Sequence, residues 1–99
     1  MNEILPIGSI IYLKEGQQKV MILSRGCQLQ QDNELVIFGY SGAAYPVGLN
    51  PEQIFYSNQE GIDKVVFHGY TDLDEERFVE LYKKWFEENK ANLKIWKIH

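Results

Sequence analysis

Residues 8–40 read GSIIYLKEGQQKVMILSRGCQLQQDNELVIFGY, and two polar interruptions divide them into three apolar runs. GSIIYLKE breaks at Gly16-Gln17-Gln18 and resumes as KVMILSRG from Lys19. Residues of this β-branched and aromatic kind suit a pleated, half-buried surface, and a short polar break between two such runs marks a hairpin. CQLQ either continues the second strand or opens a loop. Gln31-Asp32-Asn33 is a second turn signal before ELVIFGY, so the stretch predicts a three-stranded meander.

Downstream, SGAAYPVGLNPEQ holds Gly42, Pro46, Gly48 and Pro51, and reads as the longest irregular connection, from Ser41 to Gln53. IFYSN and GIDKVVFHGY, separated by Gln59-Glu60, predict one or two further strands; Val65 and Phe67 alternate with Val66 and His68 as in a half-buried strand. At Thr71 the period changes. Phe78, Leu81, Tyr82, Trp85 and Phe86 fall at i, i+3, i+4, i+7 and i+8, the apolar stripe of an amphipathic helix. Asp72 followed by Glu75 has capping-box character, and the acids at 72–76 suit the positive end of the helix dipole. The helix is expected from about Leu73 to Asn89. KIWKIH, residues 94–99, alternates apolar and basic residues and is open between a short strand and a tail. The expected fold is α+β in one domain over residues 1–99. It comprises a small antiparallel sheet or partly open barrel of four to six strands at about 8–70, with the helix packed on it through its stripe.

The composition excludes several classes of function. Ten Lys and Arg against fourteen Asp and Glu give a net charge of −4, the wrong sign for affinity built on neutralising phosphates, so no nucleic-acid partner is expected. Residues 51–99 carry ten acids and seven bases, residues 1–50 only four and three. Cys27 is the single cysteine, which precludes an intramolecular disulfide and suits a reducing cytoplasm. No basic-then-apolar leader opens the chain and no apolar run approaches the roughly 18 residues that span a bilayer, so no membrane role is expected. Gly39, Gly42 and Gly48 match no nucleotide-binding fingerprint, and Ser24, Ser41 and Ser57 sit in no nucleophile elbow. His68 and His99 have no nearby Cys. Cys27 beside Arg25 reads more simply as a small buried hydrophobe than as a nucleophile. No catalytic residue, cofactor or metal site is expected.

Aromatic content is the more informative feature. Of thirteen aromatic residues, five are tyrosines outside the helix: Tyr12, Tyr40, Tyr45, Tyr56 and Tyr70. A tyrosine ring buries area while its hydroxyl stays hydrated, which is why tyrosine is enriched at protein–protein contacts. The candidate contact residues are Tyr40, Tyr45, Pro46, Tyr56 and Tyr70, several of them adjoining the loop, with Trp96 in the closing segment as a second candidate.

Leu5 to Ser9 (LPIGS), Tyr45 to Gly48 (YPVG) and Gly69-Tyr70 before the acidic helix start occur in order, and through them the sequence resembles a family of small Gram-positive proteins classed as a domain of unknown function. The resemblance covers residues 4 to about 80; Val47 stands where an acid is common. It implies a place in type VII secretion loci beside polymorphic toxins with an LXG targeting domain. The expected function is a non-enzymatic, cytoplasmic chaperone or adaptor that binds such a toxin before export. The alternative from the same context is an immunity protein that blocks the toxic domain, since an acidic surface suits an inhibitor of a basic nuclease. The expected partner is a protein, a secreted toxin or its targeting complex, with self-association possible through an exposed strand edge.

Overall fold

The computed structural model describes residues 4–14, 16–31, 34–89 and 94–95; for residues 27–31, 34–38 and 94–95 it describes the backbone alone. The elements are β1 (Ile10–Leu13), β2 (Lys19–Gln31), β3 (Glu34–Ala44), β4 (Phe55–Ser57), a 3₁₀ turn (Gln59–Gly61), β5 (Ile62–Phe67), α1 (Leu73–Asn89) and β6 (Lys94–Ile95). The expected meander is present, with CQLQ continuing β2. The sheet runs in the order β4-β3-β2-β1-β5 with antiparallel neighbours, and β6 pairs parallel to β3 at Val36 and Ile37. The closing segment therefore begins as a short strand; residues 96–99 lie outside the described residues.

The sheet is open but strongly curled, because of how little chain joins its two edges. β4 and β5 stand at opposite edges, and a flat sheet of this width would hold them about 19 Å apart. Between Ser57 and Ile62 the chain makes a 3₁₀ turn and spans only about 13 Å. Only a curled sheet closes that distance. The crossing is pinned at both ends: Asn58 Oδ1 accepts the Gly39 amide at 2.7 Å, and the Lys14 amide donates to Gly61 O at 2.9 Å.

The inner face of the curl holds the core. Ile11, Val20, Ile22 and Tyr40 are buried there together with Ile4 and Leu5, and Leu13, Phe55, Ile62, Val79 and Tyr82 pack against them. One irregularity decides what else points inward. β2 pairs Ile22 with Gly42 and then Ser24 with Ser41, so Leu23 is an extra residue. Such a bulge reverses the alternation beyond it, and Arg25, opposite the buried Tyr40, turns inward in place of Ser24.

Ser41–Ala44, read from the sequence as loop, belongs to β3. Gly42 is in the strand because the neighbouring strand comes too close for any side chain: a Cβ there would lie 2.5 Å from Met21 O and 2.6 Å from Val20 Cγ1. Its glycine marks a close approach of backbones rather than a turn. The irregular connection is thus shorter than expected and begins at Tyr45.

The helix has the expected bounds. Asp72 Oδ1 accepts the Glu75 amide at 3.0 Å, an N-cap in which Asp replaces the usual Ser or Thr. The capping box is not completed, because the Glu75 carboxylate reaches Arg25 instead. Of the expected stripe, Tyr82 reaches the core, joined by Val79, and Trp85 and Phe86 are half-buried. Leu81 is 52% exposed and Phe78 stands at the rim, so the expected packing through all five residues is corrected. The curl narrows the inner face, and a helix lying across its mouth can engage it along a narrow line only. Gly26 makes room for that contact; a Cβ on it would lie 2.8 Å from Tyr82 Cε1.

β5 is less regular than its alternation suggested. Its register against β1 skips Val66 and Asp63, and Val65, Val66 and Phe67 are all exposed. It is an edge strand broken by bulges, a form that blunts strand-to-strand association.

Candidate functional site

Residues opposite one another in a sheet share a face, and alternate residues along a strand return to it. On the outer face the register therefore places Lys64, Tyr12, Lys19 and Tyr45 in one row and Phe67, Ile10, Met21 and Ala43 in the next. Beyond the Leu23 bulge come Ser24, Ser41 and Tyr56. The contact between the Ser24 and Ser41 hydroxyls is the direct sign that these two side chains share a face. Val79 and Tyr82 of α1 are against the core, so this face carries no helix among the described residues.

The turn that leaves this face is held firmly. The Tyr45 amide donates to Lys19 O at 2.9 Å, the Gln18 side-chain amide donates to Tyr45 O at 2.7 Å, and the Gly48 amide closes onto Ala44 O at 2.8 Å. Lys19 Nζ stands 5.9 Å from the centre of the Tyr45 ring, within cation–π range. The Tyr45-Pro46 peptide is cis. Beyond it Val47 and Leu49 project into solvent, 84% and 63% exposed. Apolar side chains presented on an ordered turn lose little conformational freedom on binding, which favours contact.

The sequence candidates separate accordingly. Tyr45, Pro46 and Tyr56 lie on the outer face or its rim, and Tyr12 joins them. Tyr40 is corrected: it is 4% exposed on the inner face, where its hydroxyl accepts the Leu5 amide at 3.0 Å and donates to Gln59 Oε1 at 2.5 Å. It fastens the N-terminal segment and the 3₁₀ crossing to the sheet, and offers no contact surface. Tyr70 is 78% exposed but follows Gly69, which lies against the Ile7–Ser9 backbone beyond β5, three strands away from Tyr45. It is not on the face that carries Tyr45 and Tyr56; Ile7 and Leu73, like Tyr70, are exposed. Trp96 lies outside the described residues, as does the side chain of Cys27.

Sequence reasoning missed Lys19, Met21 and Ala43, which become neighbours of the tyrosines only through the register. It also missed Arg25 as a structural centre. Arg25 donates to Glu75 Oε2, reaches Leu5 O at 3.4 Å and lies 4.2 Å from the centre of the Phe78 ring. Its Nε is a buried donor with no partner among the described residues.

Beneath the helix, burial raises the Tyr82 phenol above its ordinary 10.0, and the Tyr40 phenol adds to the same direction. A phenol that keeps its proton longer when folded contributes stability that is intact below the unfolded value and lost as pH rises through the folded one. Tyr82→Phe is therefore expected to flatten the alkaline limb of the stability profile, read by urea melts between about pH 8 and 11. An unchanged limb would contradict its burial.

The structure defines an α+β domain, a curled sheet with one face filled and the other bearing tyrosines. The chain belongs to the family described as Domain of unknown function (DUF4176), which matches residues 4–78, all five strands of the antiparallel sheet and the start of α1. No curated protein and no solved structure matches it. Among the described residues no helix is long and apolar enough to cross a membrane, and no group of three His, Cys, Asp or Glu could hold a metal ion.

Proposed function

We propose that this protein is a non-enzymatic, cytoplasmic protein-binding accessory, a chaperone or adaptor that engages an LXG-type toxin before export by type VII secretion. The observation that carries the protein-binding reading is the outer sheet face, where Tyr12, Tyr45 and Tyr56 stand around small and apolar side chains beside the exposed Val47 and Leu49. Aromatic rings around a shallow apolar centre form the kind of surface in which contact energy concentrates. The toxin and the compartment rest on the family resemblance and the single cysteine.

The immunity reading has its own support in α1, whose exposed Asp72, Asp74, Glu76 and Glu80 form an acidic surface suited to a basic toxic domain. The two readings differ in where the partner is held. The tagged protein is used as bait in its native cytoplasm, and the recovered chain is mapped by fragments. Capture through a toxin's N-terminal targeting region, with loss of secretion on deletion, supports the chaperone. Capture through the toxic domain, with loss of survival, supports immunity. On the chaperone reading Tyr45→Ala/Tyr56→Ala is expected to weaken capture about tenfold or more while the fold persists; unchanged capture would remove the outer face as the contact.

A further inference from the structure

We infer that the outer sheet face docks an acidic amphipathic helix of the partner protein, an inference that rests on the protein-binding reading above. Charge selects the sign of that partner. Of the residues that the register places on this face, the charged ones among those described are Lys19 and Lys64, on either side of Tyr12. Most of the exposed acids are elsewhere: Asp72, Asp74, Glu76, Glu80, Glu87 and Glu88 lie around α1, on the opposite side of the sheet, where they outnumber the exposed Arg77, Lys83 and Lys84; Asp63 falls at the β5 bulge beside Lys64, and Glu52 and Glu60 lie in the connections on either side of β4. A chain with this polarity turns an acidic partner away from its helix and toward the lysines, and draws a basic one to the helix.

Shape selects the element. Strand addition is discouraged at β5, whose ladder is broken at Asp63 and Val66. A sheet face is otherwise covered by a helix or a second sheet. The register sets the small Ser24, Ser41 and Ala43, the last only 3% exposed, among the larger Tyr45, Tyr56 and Met21, an alternation of small and large side chains that suits the ridge of a single helix. A second copy is a poor occupant of the same surface, since two such faces would bring Lys19 and Lys64 against the same two lysines of the other copy.

The test uses the whole chain, ¹⁵N-labelled, and two amphipathic helical peptides of about 20 residues, one built of Leu, Ala and Glu and the other of Leu, Ala and Lys. The Glu peptide is expected to shift the amide signals of Tyr12, Met21, Ala43, Tyr45 and Tyr56 and to bind about tenfold more tightly than the Lys peptide at low salt. Lys19→Glu/Lys64→Glu, with its dispersed spectrum intact, is expected to reverse that preference. Equal binding of both peptides on this face would overturn the acidic partner and leave the face as a docking surface. Shifts confined to α1, or none, would overturn both. Concentration-dependent shifts of the same signals without peptide, or displacement of the Glu peptide by a single-stranded oligonucleotide, would overturn the proposal in favour of a second copy or a nucleic acid.

Discussion

Glu75→Ala is expected to lower the unfolding free energy by about 3 kcal/mol, an unusually large cost for an acid in the first turn of a helix. The cause lies across the interface. The Arg25 side chain is only 6% exposed, and the Glu75 carboxylate is its charged partner. Removing that carboxylate strands a cation in the core beside a guanidinium nitrogen that already lacks an acceptor. Arg25→Met/Glu75→Leu, which removes both charges and keeps the volume, is expected to recover stability to within about 1 kcal/mol of the parent. Glu76→Ala, one residue on and exposed, is expected to change stability by less than about 0.5 kcal/mol. Urea melts of the three variants test the set. A Glu75→Ala cost as small as that of Glu76→Ala would mean that the pair is not buried and that α1 is not anchored through it.

Ile22→Ala is the second large effect, with an expected loss of about 3 to 4 kcal/mol. Ile22 is 1% exposed in the cluster formed with Ile11, Val20 and Tyr40, and truncation leaves a cavity between a sheet and a crossing that are both pinned by hydrogen bonds. Pinned walls collapse little, so most of the cavity term remains. For a chain of this size the melting temperature should fall by roughly 15 to 25 °C. Leu23→Ala, at the bulge and partly exposed, is expected to cost about 1 kcal/mol or less, which makes the adjacent pair a sensitive probe of the register. Equal costs at Ile22 and Leu23 would contradict the placement of the bulge.

Much of this architecture is legible in the residues. The runs from Ile10, Lys19 and Glu34 are strands because their side chains favour a pleated surface. The change of period at Thr71 places the helix to the residue, since Asp72 caps it and the stripe begins soon after. What could not be read are features set by two segments at once. The period of two along β2 carries no trace of Leu23 as an extra residue, and so Arg25 reads as a polar outward position when it is the inward anchor of α1. Gly42 carries the same signature as a turn glycine, although its role is to let two strands approach. Tyr40 and Tyr45 are alike in type and neighbourhood; their odd separation along the chain puts them on opposite faces under strict alternation, and only the pairing with β2 says which face is filled. The candidate contact surface was therefore legible as a population of tyrosines near a loop, and its membership was not.

The central claim is that a partner protein contacts the outer sheet face and not the helix. Site-specific photocrosslinking in the native cell tests it most directly, with a photoreactive phenylalanine analogue placed at position 45, at position 56 or, on the solvent side of α1, at position 81. The account predicts a discrete protein adduct from positions 45 and 56 and none from 81. Adducts formed at position 81 alone would contradict it, and would move the contact to the acidic helix.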